Sequence, residues 1–333
     1  MSNFVLGLDI GYSNLIAAFG DSDADKPESV MVSPAGAGPA ELMPKSLLGG
    51  ASREQTAKVI VDGEEWVAGV DPEKLQGLSR ELHSDYPSSN VYRALFYSAL
   101  LFSGRDVINT LVTGLPVNQH ADVAFRENLA NSLKGTHKIT PKCTVTVEKV
   151  IIVPQPAGAY LNTVYTTEDE DLLDIMSNGR TVIVDPGFFS VDWVTLVGGE
   201  IRHQSSGTDH KAVSVILEET ALLIESDYGA APSIEQIEKA LRSQQKEIIL
   251  IGRKVCIAEY LEEAANKVTR AALVPMRTGL REEGTDVDVV LLAGGGAKMY
   301  EKAAKDVFPL SRIIMSEDPV LANATGFWFC SKS

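Results

Sequence analysis

Cysteine, histidine and tryptophan are scarce in this sequence. Its 333 residues include 3 cysteines, 5 histidines and 3 tryptophans. Cys143, Cys256 and Cys330 lie far apart and form no Cys-x-x-Cys pair, which is evidence against a disulfide framework and against a zinc site. The histidines show neither His-x-x-x-His nor His-Glu pairing, so a metalloenzyme or a histidine-based catalytic triad has little support.

Basic residues are also few relative to acidic ones. The chain has 30 Lys and Arg against 45 Asp and Glu, a net charge of -15. Such a surface repels nucleic-acid phosphates and anionic lipid, so we expect no direct DNA binding and no membrane binding. A role on DNA would therefore require an adaptor protein.

Long hydrophobic runs are missing as well. The longest strongly apolar window, Val91 to Phe102, contains Arg93 and has 12 residues, far short of the roughly 20 that a bilayer requires. The first residues, Met1 to Phe4, carry no basic segment and lead into an apolar strand pattern, so we expect no signal peptide. Together these features predict a cytoplasmic location.

The chain is long enough for two domains, and an internal repeat indicates that they are alike. Phe4 to Phe19 reads as an apolar strand, a Gly-bearing turn and a second apolar strand, and Thr181 to Leu196 repeats this pattern 176 residues later. An Asp62-Gly63 turn between β-rich runs predicts an inserted hairpin. We expect domains at 1–160, with the insert at about 35–90, and at 161–318, followed by a C-terminal helix at 319–333 that returns to the first domain.

Periodicity and turn signals predict an α/β arrangement between these repeats. Predicted helices are Asn90–Ser103, Asp122–Leu133, Pro156–Val164, Lys211–Ser226, Ser233–Ser243, Cys256–Thr278 and Ala297–Val307, and predicted strands are Val107–Leu115, Cys143–Val153 and Val287–Ala293. The basic cluster of Lys134, His137, Lys138 and Lys142 is typical of a solvated loop. The aromatic run Phe327 to Phe329 is expected to pack in the core.

Three Gly-bearing turns follow predicted strands directly: Asp9 to Asn14, Asp185 to Ser190, and Gly294 to Gly296. Ligands of α/β sheets bind at the carboxyl ends of strands, where glycine lets backbone N–H groups approach phosphate oxygens. One such turn alone is usually a tight turn that needs glycine. Three in one chain, two of them duplicated with an aspartate, indicate a phosphate site that is neither a P-loop nor a dinucleotide fingerprint.

Asp9 and Asp185 end equivalent strands of the repeat, so a cleft between the halves would bring the two carboxylates together. A divalent cation relieves their repulsion, and Mg²⁺ prefers one or two carboxylates with waters and phosphates. We therefore predict Asp9 and Asp185 as metal-binding residues. The predicted nucleotide-binding residues are Asp9, Gly11, Tyr12, Ser13, Asn14, Asp185, Gly187, Phe188, Phe189, Ser190, Gly294, Gly295, Gly296 and Ala297.

Five segments, in order, resemble the motifs of the actin, sugar-kinase and DnaK-type ATPase superfamily. They are Leu8–Asn14 and Val184–Asp192 (phosphate motifs), Val153–Ala159 and Pro319–Gly326 (connecting motifs), and Leu292–Ala297 (adenosine motif). Within the superfamily the chain is most similar to plasmid-partition actins of the ParM/StbA type and to short archaeal and plasmid actin homologues, including the PRTRC system protein D group. The resemblance covers nearly the whole chain.

This resemblance implies a fold and an activity. The fold is α/β, with two duplicated actin-like (ribonuclease-H-like) domains around a nucleotide cleft and small subdomain inserts. The cofactors are Mg²⁺ and ATP, with GTP as the alternative, and the activity is nucleoside triphosphate hydrolysis. The partners are further copies of the chain in a filament that segregates plasmid DNA, and a centromere-binding adaptor of the ParR type.

Two positions depart from the family pattern. The second phosphate turn commonly carries Gly-Thr-Thr, where this chain has Phe188-Phe189-Ser190, which leaves fewer hydroxyls around the phosphate. ParM-type proteins often have a glutamate at the position of Gln155. A glutamine orients a water for attack on the γ-phosphate instead of accepting its proton.

Gln155, Asp185 and Asp9 are therefore the predicted catalytic residues, with either aspartate polarising the water directly or through the metal. A purely structural role for Gln155 at a helix start is equally compatible with the sequence. Two other functions remain open. One is a sugar-type kinase, which needs a further catalytic base, with Asp192 as the candidate; the other is a nucleotide-dependent regulator that does not polymerise.

Overall fold

The computed structural model describes residues 3–44, 56–76, 83, 85–282 and 286–332. The chain divides into two compact units, which we call unit 1 (Met1–Thr166 and Leu321–Ser333) and unit 2 (Thr167–Val320). The insert predicted at about 35–90 lies partly outside the described residues, as do Met1, Ser2 and Ser333. No helix in the described ranges is long and apolar enough to span a membrane.

The strands, in chain order, are β1 (Phe4–Ile10), β2 (Asn14–Asp21), β3 (Ser29–Pro34), β4 (Gly36–Pro39), β5 (Ala57–Val61), β6 (Glu64–Val70), β7 (Val107–Leu115), β8 (Gly135–Thr140), β9 (Cys143–Pro154), β10 (Arg180–Pro186), β11 (Val191–Val197), β12 (Glu200–Ile201), β13 (Gly207–Asp209), β14 (Glu247–Leu250), β15 (Arg253–Cys256), β16 (Val289–Leu292) and β17 (Arg312–Met315). The helices are α1 (Asn90–Ser103), α2 (Val117–Ala121), α3 (Val123–Leu133), α4 (Gln155–Thr166), α5 (Glu170–Asn178), α6 (Val213–Tyr228), α7 (Ile234–Arg242), α8 (Ala258–Glu282), α9 (Ala297–Val307) and α10 (Ala322–Phe329).

Unit 1 is built on a sheet with the strand order β3-β2-β1-β7-β9-β8, and the insert adds a small sheet with the order β4-β6-β5. The central strand β1 runs antiparallel to β2 and parallel to β7. Its residues are buried up to Asp9, which fits a strand covered on both faces. Asp9 therefore lies at the carboxyl end of the central strand.

Unit 2 repeats this plan with the order β12-β11-β10-β16-β17, in which β13 also pairs with β11. These five strands pair in the same antiparallel and parallel pattern as β3-β2-β1-β7-β9 of unit 1. The register repeats as well, because Asp9 pairs with Ile16 and Asp185 pairs with Asp192. The predicted duplication is thus confirmed at the level of strand order and register.

Helix α10 belongs to unit 1, where it packs on α4 and β1. Phe327, Trp328 and Phe329 are buried, as predicted from the sequence. The packing is close enough to require glycine. A Cβ on Gly326 would lie 1.7 Å from the carbonyl oxygen of Gly158, and one on Gly7 would lie 2.2 Å from that of Ala324.

The prediction of a solvated loop at the basic cluster was right for the exposure of Lys134, Lys138 and Lys142 but wrong for the secondary structure around His137. Residues Gly135–Thr140 form β8, which pairs antiparallel with β9. The His137 ring lies edge-on to Phe96 at 5.1 Å and donates to the carbonyl of Leu133 at 3.0 Å. Burial lowers the pKa of His137, so this ring packs as a neutral aromatic group. Buried and exposed side chains alternate along this hairpin, with Ile139 buried, and this pattern favours a strand although the basic charges had indicated a loop.

Candidate functional site

The two duplicated turns are closed by the same hydrogen bond. The Gly11 N–H donates to the carbonyl of Asn14 at 2.9 Å, and the Gly187 N–H donates to that of Ser190 at 2.8 Å. A Cβ on either glycine would crowd the same acceptor, at 3.4 Å and 3.0 Å. The N–H groups of these two glycines therefore hold the turns closed, and a ligand would have to bind to other groups of the turns.

Asp9, at the end of β1, is held by two amide side chains. Nε2 of Gln155, the first residue of α4, donates to Oδ1 of Asp9 at 3.2 Å. Asn323, near the start of α10, also donates a hydrogen bond to the Asp9 carboxylate. Burial raises the pKa of Asp9 to about 7, and the Asn323 hydrogen bond partly offsets this rise. The nearby Asp9 carboxylate in turn adds to the effect of burial in raising the pKa of Tyr92.

Asn323 was not among the predicted site residues, although its motif was recognised. It is only 2% exposed, in a helix whose other residues are small or aromatic. A polar side chain at such a position needs a hydrogen-bond partner, and this pattern is the signal that could have revealed it. The close packing of α10 at Gly7 and Gly158 brings its amide to Asp9.

Tyr12 contacts residues of the insert. Its ring stacks on Tyr86 with centroids 4.3 Å apart, and its hydroxyl donates to the carbonyl of His83. Burial raises the pKa of Tyr12 to about 12. Backbone bonds fix the neighbouring residues, since the Ser13 carbonyl accepts from the Ala35 N–H at 2.9 Å. Tyr12 and Ser13 of the first turn are therefore bonded to residues of the insert.

In unit 2 the structure brings Asp185 and the Gly294–Gly296 turn together. A Cβ on Gly294 would lie 1.9 Å from Oδ1 of the buried Asp185, and the φ angle of Gly294, 78°, also favours glycine. The Gly294 N–H donates to Pro319 and the Gly296 N–H donates to Pro186, at 2.8 Å and 2.9 Å.

Two residues next to these glycines were also predicted to bind nucleotide. Gly295 is exposed and its Cβ position is open, whereas Ala297 is fully buried at the start of α9. Gly295 thus has room for a ligand on its surface.

The second turn also receives the N-terminus of α6. The N–H groups of Val213 and Ser214 donate to the carbonyls of Gly187 and Phe188 at 3.2 Å and 2.9 Å. Phe188 is buried, and the Phe189 ring lies 5.2 Å from the His210 ring. The two phenylalanines thus build a wall of the turn and anchor it to the segment before α6.

Asp192 organises the polar end of this turn. Ser190 donates to its Oδ2 at 2.6 Å, and Thr208 donates to its Oδ1 at 2.6 Å. Ser190 was predicted to donate to a phosphate, but in the structure its proton is engaged by Asp192. Because both oxygens of the buried Asp192 accept hydrogen bonds, it orients its neighbours and gives no support to a catalytic-base role.

Among the described residues, no group of three or more His, Cys, Asp or Glu is arranged to hold a metal ion. The end of β1 offers the carboxylate of Asp9, and the end of β10 offers that of Asp185, whose ladder partner Asp192 accepts hydrogen bonds from Ser190 and Thr208. Such carboxylates fit Mg²⁺, which takes one or two carboxylates and completes its shell with water and nucleotide phosphates. Asp9 in unit 1 and Asp185 in unit 2 are the carboxylates that the sequence analysis predicts as metal-binding residues.

Comparisons with known proteins agree with this fold. Residues 7–158 match the family model for the N-terminal domain of actin-like proteins, and residues 183–306 match that for the C-terminal domain of archaeal MreB-like actin homologues. No curated protein matches the sequence significantly. The architecture is that of the actin-like class, with two domains of mixed α/β structure.

Solved structures share this fold. The archaeal actin homologue Ta0583 superposes with a TM-score of 0.77 at 18% identity, covering 99% of both chains. Its complex with ADP gives a TM-score of 0.76 at 18% identity, again over 99% of both chains. A 15-stranded ParM filament from Clostridium botulinum gives 0.72 at 18% identity over 100% of this chain and 99% of that one. The chain belongs to the actin-like proteins.

Proposed function

We propose that this protein is an ATPase that binds ATP with Mg²⁺ through its two strand-end turns and assembles into filaments that segregate plasmid DNA. The observation that carries the proposal is the repeated turn: an aspartate ends each central strand, and the same glycine hydrogen bond closes each turn. Two relatives add support, since Ta0583 has been solved with ADP and the Clostridium botulinum ParM as a filament.

Gln155 and Asp9 form the proposed catalytic pair. With its Nε2 donating to Asp9, the Gln155 amide is fixed, and its oxygen is directed away from that carboxylate to accept a hydrogen bond from water. Holding a water in line with the γ-phosphate supplies most of the catalytic effect in this kind of reaction. Bound Mg²⁺ would neutralise charge on the phosphates.

A DNA role requires a second protein. The net charge of -15 opposes direct contact with the DNA backbone. We therefore infer that filaments connect to plasmid DNA through a centromere-binding adaptor of the ParR type. Mixing purified filaments, adaptor and its DNA site, and measuring co-sedimentation of the DNA, tests this step.

Substitution of Asp185 tests the nucleotide site. Asp185→Ala should abolish phosphate release while leaving a folded protein, because it removes the buried strand-end carboxylate of unit 2. Asp306→Ala, which removes an exposed carboxylate from α9, is the matched control and should release phosphate at the wild-type rate. Unchanged release by a folded Asp185→Ala protein would contradict the site.

Two further measurements separate the proposal from its alternatives. A sugar-type kinase would transfer phosphate only when a sugar is added, whereas the proposed ATPase releases phosphate without one. A regulator that does not polymerise would bind nucleotide and stay monomeric in sedimentation at high concentration. Filament formation with ATP in the absence of any partner excludes the second alternative.

A further inference from the structure

The hairpin β14–β15 of unit 2 presents two isoleucines to solvent. Its inner face is buried through Ile248, Leu250 and Val255. Its outer face carries Ile249 and Ile251, which are 67% and 78% exposed. The hairpin is anchored, because Nε2 of Gln236 in α7 donates to the carbonyl of Ile249 at 2.6 Å. The exposed side chains of Ile249 and Ile251 therefore belong to a hairpin that is anchored to the rest of unit 2.

The turn of this hairpin is strained by its sequence. Leu250 pairs with Arg253, which leaves a two-residue turn in which Ile251 and Gly252 have φ angles of 47° and 73°. Positive φ at both positions is the type I′ pattern, which favours Asn or Asp before Gly. A β-branched residue is a clear outlier in this region. The strain therefore arises from the identity of residue 251.

The same chain contains the favourable version of this turn. Val61 pairs with Glu64 in the hairpin β5–β6, and the turn residues Asp62 and Gly63 have φ angles of 51° and 86°. The two turns share their geometry, yet one carries aspartate and the other an exposed isoleucine. An apolar side chain that is both strained and exposed has no stabilising role within the monomer, which indicates that it serves a contact with another molecule.

The charge of the hairpin identifies the kind of partner. Residues 246–256 include Lys246, Arg253 and Lys254 but only one acid, Glu247, in a chain whose net charge is -15. Lys254 pairs with Glu247 at 3.2 Å, and this leaves Lys246 and Arg253 to supply the excess positive charge. A basic, apolar tip is complementary to an acidic surface, and a second copy of this chain presents one.

We propose that the tip formed by Ile249, Ile251 and Arg253 is a contact between copies of this protein in the filament. The inference rests on the proposed function, which requires self-assembly. A tip that binds a different surface of the next copy makes a heterologous contact, and such contacts repeat without closing. Burial of the two isoleucines would supply apolar area, and the basic residues would orient the contact.

Ile251→Asn separates a contact role from a structural one. Asparagine suits the turn, so the melting temperature of the monomer should stay level or rise. Loss of the buried isoleucine in the filament should raise the critical concentration by about tenfold, measured by light scattering with Mg²⁺ and ATP. Leu310→Asn is the matched control, because it removes a side chain that is 80% exposed elsewhere in unit 2. This control should assemble like the wild type.

Two more variants test the same tip. Ile249→Thr keeps a β-branched residue in the strand and should raise the critical concentration while leaving the melting temperature nearly unchanged. Arg253→Glu reverses a charge at the tip and should weaken assembly, most strongly at low salt. Phosphate release by unassembled monomer should be the same in all three variants, because none of them lies in the predicted nucleotide site.

The outcomes distinguish this inference from the proposed function. If the wild type assembles with ATP and a folded Ile251→Asn protein assembles at the same concentration, the tip contact is overturned while the filament function stands. A rise in critical concentration that comes with a fall in melting temperature would also overturn it, since it would indicate a structural role. If the wild type hydrolyses ATP but never assembles, both the filament function and the tip contact fail.

Discussion

The Nε2 atom of Gln155 lies 3.2 Å from Oδ1 of Asp9, across 146 positions of sequence. This bond joins the start of α4 to the end of β1. The proposed water-positioning residue and the proposed metal-binding residue of unit 1 are therefore coupled. A change in the charge of Asp9 alters the hydrogen bond that fixes Gln155.

Asp9 should make stability depend on pH in the absence of nucleotide. Its pKa is about 7 in the folded protein and 3.8 ordinarily, so the folded state binds the extra proton between these values. The free energy of unfolding contributed by this group is fully present below about pH 4 and is lost as the pH rises through 7. Urea denaturation of wild type and Asp9→Asn across this range should give a difference that falls by a few kcal/mol with rising pH. A constant difference would contradict the raised pKa.

Asn323 should act through Asp9. Asn323→Ala removes a hydrogen bond that lowers the pKa of Asp9, so that pKa should rise further. Affinity for Mg²⁺ and nucleotide at pH 7 should then fall and recover at higher pH, as measured by isothermal titration calorimetry. Asn178→Ala, on the exposed end of α5, is the control and should not shift the pH dependence. A pH-independent loss in Asn323→Ala would assign Asn323 a packing role alone.

Gln155→Ala should separate hydrolysis from binding. The variant removes the amide that orients water, so single-turnover hydrolysis should slow by roughly 10²-fold or more, a typical effect of lost positioning. Nucleotide affinity, measured by fluorescence titration, should change far less. Equal losses in both would indicate that Gln155 serves only to hold the start of α4.

Gly326 should tolerate no side chain. A Cβ there would lie 1.7 Å from the carbonyl oxygen of Gly158, so Gly326→Ala must displace α10 and should cost roughly 2–3 kcal/mol or more of unfolding free energy. Gly279→Ala, at an exposed position near the C-terminal end of α8 with nothing near its Cβ position, is the control. It should stabilise the protein by about 0.5–1 kcal/mol. Thermal unfolding monitored by circular dichroism compares the two.

Much of the fold could be predicted because local sequence patterns determine it. Helices α1 and α9 and strand β7 begin and end at the predicted residues, since periodicity and flanking turn signals agree there. Elements that depend on distant partners were not predicted. Strands β13 and β17 are short and gain their identity from pairing with β11 and β16. Helix α5 was not among the predicted helices, although Asp169 caps it and the acids suit its first turn.

The site was harder to predict than the fold. Sequence motifs located the turns and both aspartates, because a strand followed by Asp-x-Gly is a local signal. They did not reveal that Asn323 bonds to Asp9 or that Asp192 engages Ser190, since these bonds depend on tertiary packing. The roles predicted for Tyr12 and Ser190 as phosphate contacts remain predictions, and the hydroxyl of each is bonded within the protein.

High-speed pelleting of the purified protein, with phosphate release followed in the same sample, tests the central claim most directly. The protein would be incubated with Mg²⁺ and ATP, GTP, ADP or a non-hydrolysable analogue over a range of concentrations. We predict that the protein pellets above a critical concentration when a triphosphate is present. The pelleted polymer should persist with the non-hydrolysable analogue and should disassemble with ATP as phosphate is released. Nucleotide binding by a protein that stays in the supernatant at every concentration would contradict the filament function.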